Sequence, residues 1–335
     1  MKKIIKLLTL YTVALLSIYS CKDGNKEDKV LPGIVGAPNE ILVVSSDKVW
    51  NSSMGDTIKN YLARPLFGLP QDEPTFKVIH IQPSNFERHL GKHRNVIQIQ
   101  VGSYIDSTQL LYQNGLKARG QEYFLLQAKD SSQLIKLFDD NKTLIEDMIL
   151  SSEEKRLWEG FTRFPAKKVV NLFKKYGIEI KLPEGFNLNK ESKNFIWTSL
   201  ETTKYSQGII FFQDSLTDIS QFNTQIVLDR VNEVLKEQIP GPIDSSWMAL
   251  DMELPYSAKE TTLNNNYTIQ MRGLWYVEND FMAGPYILNA ILDKPNKRII
   301  YAMGYIYYPI EAKRNMVRRV EAIINSIKTK QPANK

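Results

Sequence analysis

The chain has a single cysteine, Cys21, and it stands directly behind an apolar leader. One sulfur permits no intramolecular disulfide and no cysteine-cluster metal site. Whatever folds after it must be held by packing and hydrogen bonds. The leader begins Met1-Lys2-Lys3, stays basic to Lys6 and turns mostly apolar from Leu7 to Leu16. An apolar run this short is signal-length, because a spanning helix needs roughly 20 apolar residues. In Leu16-Ser17-Ile18-Tyr19-Ser20-Cys21, a small residue precedes the cysteine and an aliphatic one lies three positions before it.

That arrangement resembles a bacterial lipobox, with Tyr19 bulkier than usual at its position. The resemblance implies cleavage after residue 20, diacylglyceryl transfer to the Cys21 sulfur and acylation of the new amine. Residues 1–20 are then a lipoprotein signal peptide, and Cys21 is the lipidation site. Each buried CH₂ contributes about 0.8 kcal/mol, so several acyl chains hold a protein firmly to a membrane. The expected location is the cell envelope, lipid-anchored at the outer membrane. Lys22-Asp23-Gly24-Asn25-Lys26-Glu27-Asp28-Lys29 is polar and aperiodic, and residues 21–36 read as a flexible tether. Lys22-Asp23 resembles a surface-export signal of Bacteroidetes lipoproteins, so the periplasmic and surface faces both stay open.

Acids number 37 against 43 Lys and Arg, a formal charge of +6; removing Lys2, Lys3 and Lys6 leaves +3. Nucleic-acid binders usually concentrate a much larger basic excess, so nucleic acid is not an expected partner. With 43% hydrophobic residues, the body is large enough for a substantial core. Ile41-Leu42-Val43-Val44 is a continuous aliphatic run, as in a strand covered on both faces. Trp50, Met54, Ile58 and Leu62 predict a helix over 49–62. Asp130-Ser131-Ser132 caps an apolar series from Leu134 to Met148, and the capping box at Ser151-Ser152-Glu153-Glu154 predicts a second helix start. Beyond Gly177, strands are expected at 195–200, 208–213, 248–254, 267–277, 286–293 and 298–308. Helices are expected at 222–238 and 311–328. These segments predict an α+β fold of two mixed domains, 37–177 and 178–330, with largely antiparallel sheets flanked by helices.

Six motifs resemble an uncharacterised family of Bacteroidetes lipoproteins with a domain of unknown function. They are Asn39–Val44, Gly68–Phe76, Arg94-Asn95-Val96, Arg272-Gly273-Leu274-Trp275, Met282–Tyr286 and Lys313–Arg318. The resemblance implies an envelope lipoprotein and no particular reaction. Ile180–Phe186 and the closing hairpin and helix to Lys328 are similar to PsbP-like lipoprotein domains.

Local signs of chemistry are sparse. His89 and His93 have helical metal-ligand spacing, but Arg88, Lys92 and Arg94 would repel a cation, so no metal or other cofactor is expected. The same cations could instead hold an anion. There is no nucleophile elbow and no phosphate loop. Carboxylate pairs such as Asp251/Glu253 read as solvated. Candidate ligand-binding residues are Glu73 in a proline-restrained acidic loop, Arg94, Trp275 among aromatics near a Gly-Pro turn, and Arg318. Lys313, Arg314, Arg318 and Arg319 put cations at a helix start, against the macrodipole, which predicts either internal acids or an external anion opposite them. The sequence therefore favours a non-enzymatic binding or assembly protein with an envelope protein partner. The alternative is a hydrolase or transferase acting on envelope glycan or lipid. A buried polar cleft uniting at least two of the four candidates would favour a ligand or enzyme site, and a broad apolar surface without convergent polar groups a protein partner.

Overall fold

The computed structural model describes residues 31–87, 89–309 and 311–330. The signal, Cys21, the first part of the tether and Arg88 lie outside these residues. The α+β architecture is present. The first sheet contains β1 (Glu40–Val44), β2 (Lys77–Ile81), β3 (Asn95–Val101), β4 (Gln109–Asn114) and β5 (Glu122–Ala128), in the order β2-β1-β3-β5-β4. Its first four strands in that order make three parallel pairings, and only β4 runs antiparallel. All five β1 residues are buried, as a central parallel strand requires.

Helix prediction over 49–62 met a break. A short turn of helix, α1 (Asp47–Trp50), precedes α2 (Ser53–Leu62), and Met54, Ile58 and Leu62 of α2 are buried on the first sheet. A Cβ on Gly55 would lie 1.9 Å from the Trp50 carbonyl oxygen, so only glycine lets the two segments fold this close.

The expected break at residue 151 is absent. One helix, α3 (Ser131–Arg163), runs for 33 residues, about 50 Å at 1.5 Å per residue. Glu153 and Glu154 do not reach back to cap a new helix; both turn into the fold, where Arg156 donates to Glu153 and Asn325 donates to Glu154. Leu134, Phe138, Ile145 and Ile149 pack on the first core, whereas Phe161, Leu157 and Trp158 pack on the second. A single helix thus serves both domains.

Beyond α4 (Lys167–Lys175), an eight-stranded antiparallel sheet curls into a half-barrel. It holds β7 (Asn187–Ser192), β8 (Phe195–Glu201), β9 (Ser206–Ser215), β10 (Met248–Leu250), β11 (Ser257–Leu263), β12 (Asn266–Val277), β13 (Ala283–Asp293) and β14 (Arg298–Tyr307). The apolar stripe of α5 (Thr224–Gln238) fills one face of this sheet. The other face is covered by α4, the end of α3 and α6 (Arg314–Asn325). The short strands β6 (Ile178–Glu179) and β15 (Lys328–Thr329) pair and secure the end of α6. Among the described residues, no helix is long and apolar enough to cross a membrane.

Candidate functional site

The two domains meet where α3 and α6 pass each other. The loop that follows α2 reaches across to the second domain. Glu73 accepts hydrogen bonds from the backbone nitrogens of Lys313 at 2.6 Å and Arg314 at 2.9 Å. Lys313 Nζ donates to Gln71 Oε1 at 2.9 Å, and Arg314 donates to the Pro74 carbonyl at 3.0 Å. Glu73 therefore caps α6 from about 240 positions away in sequence and sets an acid against its positive end. This is one of the internal acids expected opposite the basic helix start.

Beside this contact lies a cleft of about 530 Å³. Leu150, Glu153, Glu154 and Leu157 face it at helical spacing from α3, and Asn315, Arg318, Arg319 and Asn325 face it from α6. Asn39 and Arg94 close one end. Two of the four candidates from the sequence, Arg94 and Arg318, share this wall although they stand on different domains.

The polar groups form two networks. In the first, Glu153 Oε1 accepts from Arg156 at 2.7 Å and from Asn95 Nδ2 at 2.8 Å, with Arg94 Nε 3.0 Å away. The Arg94 nitrogen is close enough for ion pairing but its hydrogen has no aligned acceptor. Arg156 also donates to the Gly120 carbonyl at 2.8 Å, so its guanidinium is committed. In the second network, Glu321 accepts from Arg318 at 3.0 Å and from Arg272, whose strand β12 lies below α6. Burial pushes the Glu321 carboxyl up, but Arg272 and Arg318 outweigh it and hold the group below the ordinary carboxylate range.

Glu154 behaves in the opposite way. Burial raises its pKa to about 7, with the nearby Glu321 charge adding to the shift and the 2.7 Å hydrogen bond from Asn325 opposing it. Two carboxyls of one cleft thus prefer different protonation states near neutrality. Arg94 and Arg319 are pushed down by burial but remain charged, since guanidinium does not lose its proton in proteins.

Several buried polar atoms around this cleft have no hydrogen-bond partner among the described residues: Arg94 Nε, Arg318 Nε, Asn39 Oδ1 and, just beneath, Arg272 Nη1. Arg94 is only 8% exposed. Buried donors in native proteins are almost always paired; here Arg318 Nε and Arg272 Nη1 have no hydrogen-bond partner among the described residues, and Arg94 Nε has only the misaligned Glu153 carboxylate at 3.0 Å.

Trp275 lies elsewhere. It is buried in the half-barrel, donates to the Ile306 carbonyl at 3.2 Å and meets Tyr305 edge to face. Gly284 is paired with it in register; a Cβ there would reach within 2.1 Å of the Ile306 oxygen and 3.1 Å of the indole nitrogen. Trp275 lines a separate cavity of about 620 Å³ with Trp197, Met248, Tyr305 and Tyr307. His93 is buried, with Nδ1 3.0 Å from the Asn95 carbonyl oxygen. No group of three or more potential metal ligands occurs among the described residues.

Sequence reasoning overlooked Glu154, Glu321, Asn325 and Arg272 as site residues. The available signal was charge inside a buried stripe. The series Leu134, Phe138, Ile145 and Ile149 continues into Glu153, and Val317, Val320 and Ile324 flank Glu321 on a helix otherwise read as simply amphipathic.

Residues 35–162 match a family described as a domain of unknown function, DUF8532, and residues 165–326 match a second such domain, DUF4837. Both matched regions contribute residues to the cleft, and α3 ends where the first match gives way to the second. No curated protein matches the chain. Among solved structures, it is distantly similar to a protein from Bacteroides thetaiotaomicron, with 9% identity and a TM-score of 0.26, over 48% of this chain and 47% of that one. The chain thus spans about half of that protein's length. It is also similar to the Ran-binding protein Mog1p of Saccharomyces cerevisiae, with 10% identity and a TM-score of 0.29, over 46% of this chain and 90% of that one.

Proposed function

We propose that the protein is a non-enzymatic, lipid-anchored envelope lipoprotein that binds an envelope component in the cleft between its two domains. The observation that carries the binding part is a cleft between the domains where buried guanidinium groups, including Arg94 and Arg318, keep nitrogens without an aligned hydrogen bond. The anchoring part rests on the leader and Cys21, with the likeness of the motifs from Asn39 to Arg318 to Bacteroidetes lipoproteins as further support. The start and end of the second half, similar to PsbP-like lipoprotein domains, point the same way. In this reading the anchor is at the outer membrane, on its periplasmic or surface face.

A Cys21→Ser variant tests the anchor. Wild-type protein is expected in the detergent phase of a phase partition and the variant in the aqueous phase; wild type in the aqueous phase would refute acylation. Mild crosslinking of the anchored protein in cells, followed by pull-down, tests the binding. A reproducible envelope component is expected, and its absence would count against this reading.

A second reading, a hydrolase or transferase on envelope glycan or lipid, draws on one observation. The near-neutral Glu154 and the ionised Glu321 supply a proton donor and an acceptor in one cleft. No activated nucleophile accompanies them among the described residues, which ranks this reading second. Turnover of a purified glycan or phospholipid by wild type that is lost in Glu154→Gln would reverse the ranking.

A further inference from the structure

Building on the cleft as a binding site, we infer that its ligand carries a phosphomonoester group, held by Arg318, Arg319 and Arg94. Four arginines line the cleft, Arg94, Arg156, Arg318 and Arg319, against three acids, Glu153, Glu154 and Glu321. With all acids ionised the lining carries one net positive charge; with Glu154 protonated it carries two. A phosphomonoester near neutral pH carries about 1.5 to 2 negative charges and three strong acceptor oxygens. It therefore balances the lining when Glu154 is protonated, the state in which a lone carboxylate would leave one positive charge uncompensated.

The donors also suit this group. Guanidinium forks match phosphate oxygens; Arg318 spends Nη1 on Glu321 and Arg94 lies 3.0 Å from Glu153 through Nε, and no described residue accepts from the remaining terminal nitrogens of either in a hydrogen bond. Arg319 also lines the cleft; no carboxylate is ion-paired with it among the described residues, and the Tyr205 phenol is the neighbour that favours its charge. Arg156, already committed to Glu153 and the Gly120 carbonyl, fixes the floor rather than the ligand. Asn39, Ser151, Asn315 and Asn325 add neutral polar groups beside the apolar Leu150 and Leu157. A cleft of about 530 Å³ has room for more than a phosphate, so the ester's organic part would sit inside it.

Glu154 makes the site sensitive to pH. When protonated, its hydroxyl can donate to a phosphate oxygen; when ionised, it repels the dianion. Glu321 and Arg318 on α6 and Lys181 after β6 face the same carboxyl, and Asn325 donates to it. Affinity therefore falls as pH rises through about 7.

The phosphomonoester could belong to a soluble metabolite or to a lipid headgroup. Calorimetric titration of the full-length acylated protein in detergent separates the sources. Glycerol 3-phosphate is the soluble probe, and phosphatidic acid in mixed micelles, against phosphatidylcholine micelles, is the lipid probe. Binding of at least one phosphomonoester with one-to-one stoichiometry is expected, and acetate at equal concentration should give no heat. Arg319→Ala should weaken binding about tenfold or more while melting without ligand near the wild-type temperature. Glu154→Gln should bind at neutral pH and lose the decline on the alkaline side.

No heat from either phosphomonoester, or an unchanged affinity in a folded Arg319→Ala protein, would overturn the assignment. So would acetate binding as tightly as the phosphomonoester. If crosslinking still captures an envelope component while both phosphate probes fail, only the phosphate assignment falls. If the probes bind and nothing is captured in cells, it is the envelope-component reading that fails.

Discussion

The cleft between α3 and α6 and the cavity beside Trp275 have similar volumes, about 530 and 620 Å³, but arginines and acids dominate the first, whereas aromatic rings, with Glu201 and Lys204 among them, dominate the second. In the half-barrel, aromatic rings pack on one another and each indole nitrogen finds a partner: Trp275 the Ile306 carbonyl, Trp197 the Tyr305 hydroxyl at 2.9 Å. In the interdomain cleft, acids and arginines are buried together and some guanidinium nitrogens remain without acceptors. Burial of an aromatic cluster stabilises a fold directly. Burial of a charge network is costly, and removing one partner costs more than the network contributes. The cavity beside Trp275 is therefore explained by stability, whereas the interdomain cleft calls for a ligand.

Substitution can break this comparison. Trp275→Ala should cost about 3–5 kcal/mol in denaturant unfolding and leave ligand affinity at the cleft unchanged. A shift in affinity would mean that the two cavities are coupled. Glu321→Ala strips Arg272 and Arg318 of their shared carboxylate and should cost about 3 kcal/mol, a loss that salt should partly relieve. A neutral result would mean that the arginines are balanced from elsewhere. Glu154→Gln should have the smallest effect and the opposite sign. The Glu154 pKa rises from 4.5 to about 7 on folding, so the native state holds the extra proton and wild-type stability falls as pH increases across that interval. Above it, the glutamine variant should be more stable by about 1–2 kcal/mol, after discounting for partial exposure, and its stability should be flat through the same window. An unchanged pH profile would show that Glu154 titrates normally.

Much of the fold was legible because its elements carry clean periodicity. The aliphatic run of β1, the α2 stripe of Met54, Ile58 and Leu62, and the long β12–β14 strands were visible without coordinates. Strand direction in the first sheet was not, because a buried run does not say whether its neighbour is parallel. β11 was missed because its residues, Ser257 to Leu263, lie on a sheet edge and are mostly polar. The division of α3 at Ser151 was expected because Ser-Ser-Glu-Glu satisfies a capping pattern; tertiary contacts of Glu153 and Glu154 outweigh that local preference. In the site, Arg94 stands out at the end of a basic segment with Arg88 and Lys92, and Arg318 among the cations that open α6. Their meeting is a product of topology, which brings the turn before β3 beside α6. Glu73 stood out for its proline-bounded loop, and the fold uses it as a helix cap. Trp275 stood out as aromatic, and the fold uses it as core.

Photocrosslinking from the cleft, against an exposed position on the half-barrel domain, tests the central claim most directly. A photoreactive residue replaces Ser151 at the rim of the interdomain cleft, and in a second strain replaces Phe281, which is 88% exposed on the turn just before β13 in the half-barrel domain. In intact cells, position 151 should capture one reproducible envelope component, displaced by an excess of phosphomonoester, and position 281 should not. Capture only at position 281, or capture at 151 that no phosphomonoester displaces, would contradict the account.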